Sequence, residues 1–397
     1  MDGQRVLAAL ERQPGGPEVL GLGQGMLVGG AVRDLMLGAS PRELDLVVPD
    51  DAEGVAGRLA GLLGARAEVT GHGRFGTAAV RWPGGRVDVA ARRAETYAAP
   101  GALPEVRAGT VEEDLRRRDF TVNAIAVALA DGRVHAAPEA LEDLAARRLR
   151  VLHERSFLDD PTRLLRLARY AARLRFEIEP QTERLARAAV ADGALETVSG
   201  ARIGAELRLA LAEADALGAL QRMDELGVPG AIGLQSPVPE RLARDALALL
   251  PADGRPGELM AALLTGDRGL LDRLEFPAAE RDRIVTGVRR REAIVRTLAG
   301  EERASKLHEA LAGATPEAVA LAGASTGAEG RETAQRWLST LRHVRLAITG
   351  DDLLAAGVPA GPELGRRLAH ALALKLDGQI AGGADAEVAA AMEDEGG

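Results

Sequence analysis

Near Ala140 the hydrophobic pattern changes period, and one regular architecture cannot accommodate both sides of that change. From Met26 to Leu129, short apolar runs such as LDLVV, GTAAVRW and RVDVAA alternate with turn signals such as WPGG, which predicts strands with a few helices. From about Ala140 onward, segments such as PTRLLRLARYAARLRF repeat apolar residues at spacings of three and four, which predicts a succession of helices. The expected fold class is α+β, a mixed sheet with helices followed by all-helical parts. The chain has 397 residues, too many for one ordinary core, so two to four packed units are expected. Hydrophobic residues make up 46% but aromatic residues only 2%, leaving Leu, Ala and Val to build those cores. Ala and Leu favour helix. The Gly/Pro-rich segments GVPGAIGLQSPVPE, PADGRPGE and LAGASTGAEG read as linkers or loops, and the final GGADAEVAAAMEDEGG reads as a fraying end.

The densest chemistry lies in LVGGAVRDLMLGASPRELDLVV, residues 27–48. A buried strand runs into Gly29 and Gly30, a helix follows, and Gly38 can close it in the left-handed conformation. A glycine turn entering a helix presents backbone N–H groups suited to phosphate, and Arg33 can add a guanidinium to the same anion. After Pro41, Glu43 and Asp45 sit two apart on a predicted strand and so point to one face. Paired carboxylates repel unless a cation lies between them, and hard divalent ions such as Mg²⁺ take carboxylates together with substrate phosphates. The combination points to metal-assisted nucleotidyl transfer. Asp88, on another predicted strand, is a third acid able to join the pair, or a strand-edge charge.

The net charge of −9 excludes a uniformly basic coat, although residues 114–175 hold thirteen Arg against nine Asp and Glu, a local patch fit for nucleic acid. The absence of cysteine excludes disulfides and thiolate metal sites. The N-terminal stretch lacks a basic region followed by an apolar run, and no apolar stretch reaches membrane-spanning length, so no membrane partner is expected and the expected location is cytoplasmic.

Four blocks, in this order, resemble the class II tRNA nucleotidyltransferase and poly(A) polymerase family of the polymerase-beta-like nucleotidyltransferase superfamily: LVGGAVRDLMLG with ELDL, EEDLRRRDFTVNAIAVAL, SFLDDPTRLLRLARYAARLRF and VSGARIGAEL. The resemblance covers roughly the first half of the chain and thins beyond Asp224. It implies a head or palm domain at 1–138, a helical neck carrying a base-reading segment at 139–200, a helical body at 201–300 and a helical tail at 301–397. None of the six histidines is followed by Asp, so the phosphohydrolase activity of some relatives is not expected.

The implied activity is Mg²⁺-dependent addition of C, A or both to the 3′ end of tRNA, with CTP and ATP as substrates and the acceptor arm as partner. CC-only, A-only and poly(A) addition share these motifs. By resemblance, Gly29, Gly30 and Arg33 hold the triphosphate, Arg118 contacts the nucleotide, and Asp119 and Asn123 shape the pocket. Asp160 and Arg163 read the base edge, and Arg166 and Arg169 lie near phosphate or RNA. Arg74 approaches nucleotide or primer, and Phe75 is core. The alternative for the two arginine-rich blocks is salt bridging along helices. One departure stands out: Glu43 occupies a metal position where the family usually has Asp, a side chain longer by one C–C bond of about 1.5 Å. A non-catalytic RNA-binding descendant is the reading that departure would favour.

Overall fold

The computed structural model describes residues 2–72, 76–301 and 303–393. Arg74 and Phe75 lie outside the described residues. Contacts divide the chain into two compact units, Met1–Glu206 with Arg222–Ile232, and Leu207–Gln221 with Gly233–Gly397.

The first unit is built on a sheet. Its strands are β1 (Met26–Val28), β2 (Leu44–Val48), β3 (Glu68–His72), β4 (Thr77–Trp82), β5 (Gly85–Ala91), then, after the separate ribbon of β6 (Arg93–Thr96) and β7 (Glu105–Ala108), β8 (Ile125–Ala128) and β9 (Val134–Ala136). The seven-stranded order is β3-β4-β5-β2-β1-β8-β9. Five of the six pairings are antiparallel; only β2 and β5 run parallel. A parallel pair needs a long crossover, supplied here by the helix Ala52–Leu63 and the β3–β4 hairpin. The crossover brings β5 back beside β2 in a register that sets Asp45 directly opposite Asp88. WPGG forms the turn between β4 and β5, with Trp82 paired to Gly85.

The remaining local structure follows from capping and sequence pattern. Thr110 and Glu113 form a reciprocal capping box that starts the helix Val111–Arg116. That helix ends at once, so Arg117 and Arg118 fall at its C-terminus, where cations are favoured by the helix dipole. A 3₁₀ turn, Thr121–Asn123, follows, so Asp119 and Asn123 do not share one α-helix. The segment expected to be entirely helical holds one small exception: β10 (Arg148–Leu149) pairs in parallel with β11 (Glu177–Ile178) across the helix Arg163–Leu174. Two residues per strand leave no periodicity to detect. That helix starts at Arg163, after a turn organised by Asp160 and Thr162.

The second unit is helical. Its helix Pro316–Ala324 is buried on nearly all sides, from Glu317 through Gly323, and the helices Ala278–Gly300, Ala328–Ser339 and Glu240–Leu249 pack around it. An all-round apolar helix belongs in a core. LAGASTGAEG is therefore no linker: Gly323 lies buried beside Ala334, and only the short turn after Ala324 separates two packed helices. The chain end also differs from expectation. Residues Ala384–Met392 form a helix whose Val388 and Ala391 pack with Ile348, Leu353, Val358 and Ala371. Glu387 anchors it: wholly buried, its carboxylate accepts from the Lys375 ammonium at 2.5 Å and from the backbone N–H of Ala347 at 2.6 Å and Ile348 at 3.2 Å. The sequence pattern misses this because the lock joins residues twelve to forty apart. Glu387→Ala is expected to cost the protein about 2 kcal/mol, a loss typical of hydrogen bonds to a charged group. Urea denaturation checks this; an unchanged midpoint would mean that the carboxylate adds nothing.

Candidate active site

At the parallel pair of the first unit, carboxylate oxygens of Glu43, Asp45 and Asp88 all lie within 4.8 Å of one another. No other such group of His, Asp or Glu comes together among the described residues. Glu43 lies in the bend just before β2 rather than on the strand, and this is where the sequence reading needs correction. From that bend the Glu43 side chain brings its carboxylate to the cluster. Asp88 joins because of strand register, which neither Asp45 nor Asp88 shows locally.

Burial and then the charge of Glu43 push the Asp45 carboxyl up to about 7, with Asp88 adding to them, while Arg118 and Arg86 pull it down. Asp88 is held by Arg86, whose Nε donates at 2.9 Å. The donor set is all oxygen, close-spaced and short of positive charge, which suits a hard divalent cation better than a thiolate- or imidazole-seeking metal. The residues thus fit a metal of the Mg²⁺ kind.

Beside the acids sits the glycine turn. Gly29 adopts φ +67°, and a β-carbon there would stand 2.6 Å from Nη1 of Arg118. Glycine is required both for the backbone and for the guanidinium lying against it. The Gly29 N–H donates to Ile125 carbonyl, so it is not among the free donors of the turn. Gly30 begins the helix Gly30–Met36. Arg118 is aimed by Asp114, a buried carboxylate that accepts from Nη2 of Arg118 at 3.0 Å and from Arg117 at 2.8 Å. Nε of Arg118 is buried without a partner among the described residues. A cation with donors left over, between a glycine turn and a carboxylate cluster, can receive an anionic oxygen.

Several arginines lie differently from expectation. Arg33 is engaged inside the protein rather than open to a triphosphate. Only 2% exposed, it donates to Asp34 at 2.8 Å and to Oδ1 of Asn123 at 2.5 Å. Asn123 in turn donates to Asp119 at 2.9 Å, and Asp119 accepts from Nη2 of Arg166 at 2.7 Å. Glu206 closes the chain, taking Arg166 at 2.9 Å and Arg169 at 3.2 Å. The guanidinium carbons of Arg33, Arg166 and Arg169 stand 5.4, 5.4 and 4.8 Å from the centre of the Tyr170 ring, within cation–π range. Arg166 and Arg169 are thus tied inside the protein rather than presented to RNA. The reason is the helix phase, which turns residues 166, 169 and 170 toward Asp119 and Glu206. Tyr170 and Glu206 are site residues that the sequence reading missed, although both stand within the quoted motif blocks and Glu206 was findable there as the only acid of VSGARIGAEL.

Arg163, 4% exposed, donates to Ser156 Oγ at 2.6 Å and to the Arg117 carbonyl at 2.7 Å. As the first residue of its helix it leans back over the preceding turn, which corrects the picture of a guanidinium already facing a base. Asp160 keeps a partly exposed carboxylate, with Oδ1 accepting from Thr162 and Arg202.

Known proteins resemble this chain in sequence and in fold. Residues 26–150 match the family model of the poly A polymerase head domain. A CC-adding tRNA nucleotidyltransferase of Deinococcus radiodurans is 36% identical over 363 residues, 89% of this chain and 85% of that protein. The chain belongs to the tRNA nucleotidyltransferase family. Another member, the A-adding tRNA nucleotidyltransferase of Geobacter sulfurreducens, is 34% identical over 382 residues, 89% of this chain, but the match spans only 43% of that longer protein. The solved structure of the Thermotoga maritima CCA-adding enzyme complexed with tRNA-CCA superposes with a TM-score of 0.75 at 26% identity, covering 99% of each chain. In this tRNA nucleotidyltransferase family member, among the described residues, no helix is long and apolar enough to cross a membrane.

The buried network has an acid limit. Burial raises Asp119, but Arg166, then Asn123 and Arg163, outweigh it and hold the carboxyl at about 2, below its ordinary 3.8. A depressed pKa gives stability that is present above the ordinary value and lost as pH falls through the folded one. Asp119→Asn is expected to be destabilised by about 2 kcal/mol at pH 7, the deficit shrinking between pH 4 and pH 2. Thermal melts of both proteins across that range check it; a deficit independent of pH would remove the ion pair as its cause.

Proposed function

We propose that this protein is a divalent-metal-dependent, template-independent nucleotidyltransferase that adds C, A or both to the 3′ end of tRNA, the metal being Mg²⁺. The observation that carries this reading is the carboxylate cluster of Glu43, Asp45 and Asp88 beside Arg118 and the Gly29 turn. The names of the relatives, one CC-adding and one A-adding, support tRNA as the acceptor and CTP or ATP as donor.

In the proposed reaction, the terminal 3′-hydroxyl oxygen of the primer forms a bond to the α-phosphorus of CTP or ATP. The bond from that phosphorus to pyrophosphate breaks, and the hydroxyl proton passes to solvent. Glu43, Asp45 and Asp88 would hold the metal, which would supply charge neutralisation at the phosphates and a more acidic hydroxyl. Arg118 and the backbone at Gly30, where the helix begins, receive the triphosphate, with Gly29 shaping the turn. Asp119 and Asn123, with Arg33, Arg166 and Arg169, fix the floor of the pocket. Asp160 accepts from the base edge, and Arg163 turns toward it once a base displaces the bonds to Ser156 and the Arg117 carbonyl. Positioning and electrostatics supply the rate, with no covalent enzyme intermediate.

Residues 1–138 serve as the head, 139–200 as the neck, 201–300 as the body and 301–397 as the tail in this reading. A cytoplasmic location fits this reading. The non-catalytic alternative loses its motive, since Glu43 delivers a carboxylate to the cluster despite its extra length.

The deciding experiment incubates the protein and Mg²⁺ with tRNA transcripts ending before CCA, after the first C and after CC, with CTP, ATP or both. Single-nucleotide sizing then separates CCA, CC-only, A-only and poly(A) addition, and binding without extension would overturn the enzymatic reading. Asp45→Asn is expected to abolish turnover while the melting temperature holds. Gly29→Ala is expected to lower kcat/KM by about a hundredfold, because the added methyl displaces Arg118 by an ångström or more. Wild-type turnover in either variant would take that residue out of the site.

A further inference from the structure

Asp160 is held more firmly than an exposed carboxylate after a short helix needs to be. It follows the helix Ser156–Asp159 in an extended conformation, and its Oδ1 accepts three donors: the Thr162 N–H at 3.1 Å, Thr162 Oγ1 at 2.6 Å and Nη2 of Arg202 at 2.8 Å. The other arm of Arg202, Nη1, donates to the Gly101 carbonyl at 3.0 Å. Gly101 is itself immobilised. Its N–H donates to the Leu158 carbonyl at 3.0 Å, its φ is +70°, and a β-carbon on it would fall 2.1 Å from Oγ1 of Thr197. Arg202 therefore ties Asp160 to the loop between β6 and β7 through a planar fork whose two arms are both engaged.

The consequence is chemical. With Oδ1 filled, the carboxylate offers Oδ2, and an ionised carboxylate only accepts hydrogen bonds. Cytosine and adenine carry an exocyclic amine where uracil and guanine carry a carbonyl. We infer that Arg202 is a positioning residue for nucleobase choice: by fixing Asp160 it keeps an acceptor aimed at the exocyclic amine, so that C and A are taken and U and G refused. The inference rests on the proposed role of Asp160 as the base contact, and it adds a residue outside that contact. A carboxylate freed from Arg202 could rotate, or admit a water that bridges to a carbonyl, and the distinction between amine and carbonyl would weaken.

The test measures kcat/KM for CTP against UTP on a tRNA transcript lacking CCA, or ATP against GTP on one ending in CC if the enzyme adds only A. Wild type, Arg202→Met, Arg202→Lys and Asp160→Asn are compared. A ratio of two nucleotides on one preparation cancels the concentration of folded enzyme, so partial unfolding leaves it unchanged. Arg202→Met is expected to lower the ratio about tenfold, chiefly by raising KM for the correct nucleotide. KM for tRNA stays unchanged, and Arg202→Lys recovers part of the ratio. If turnover becomes too slow, equilibrium binding of the same nucleotide pairs, followed by calorimetry, reads the same preference. Arg202→Met with wild-type preference, beside an Asp160→Asn that loses it, would overturn the role of Arg202 and leave Asp160 as base contact. Wild-type preference in both would overturn the base-contact reading and this inference with it.

Discussion

Everything in the first unit turns on bringing like charges together. Three carboxylates lie within 4.8 Å of one another, and burial, then the charge of Glu43, push the Asp45 carboxyl up to about 7. The fold tolerates this because strand register, rather than side-chain attraction, places Asp45 beside Asp88. The register is set by the apolar residues around the acids: Leu44, Leu46 and Val48 on β2, and Val87 and Val89 on β5, are buried, and a slip of one residue would turn them to the other face. The sheet thus holds a cluster that would fly apart in a flexible loop, and it leaves an excess of negative charge that a divalent cation can offset while also taking phosphate oxygens.

Around that cluster the arginines divide by what holds them. Arg118 is aimed by Asp114 but keeps donors free, as a group awaiting an anion must. Arg33, Arg166 and Arg169 are bound on several sides, through Asn123, Asp119, Glu206 and the Tyr170 ring. The buried Asp119 carboxylate, held by Arg166 and Asn123, cannot shift without leaving a charge unpaired, so the network is rigid. In the proposed reading, such a floor serves selection of a base by protein side chains, because a misplacement of about one ångström is already expensive there. Asp160 follows the same design at smaller scale, with Arg202 in place of the larger network.

The second unit has its own anchor. The buried Glu387 carboxylate joins the last helix to Lys375 and to the backbone at Ala347 and Ile348, and an apolar layer of alanine and leucine lies around it. With aromatic residues scarce, such cores are assembled from many small contacts, and a single polar lock then fixes which helices meet.

Much was legible from the chain alone, for reasons that are local. The change of hydrophobic period near Ala140, the strands LDLVV, GTAAVRW and RVDVAA, the WPGG turn and the glycine entry to the helix after β1 are encoded by residues within a few positions of each other. The acids Glu43 and Asp45 could be paired by spacing, although not the bend that lets Glu43 reach. What only the tertiary structure decided involves partners far apart in sequence. Asp88 becomes the third carboxylate through the register of a parallel pair forty-odd residues apart, and Tyr170 becomes the centre of three arginines through the phase of a helix packed on the 3₁₀ turn region. Charge type and spacing say that Arg33, Arg163, Arg166 and Arg169 are recognition residues or salt bridges. Only packing says which, since the sign of a residue is written in its side chain while its partner is chosen by the fold.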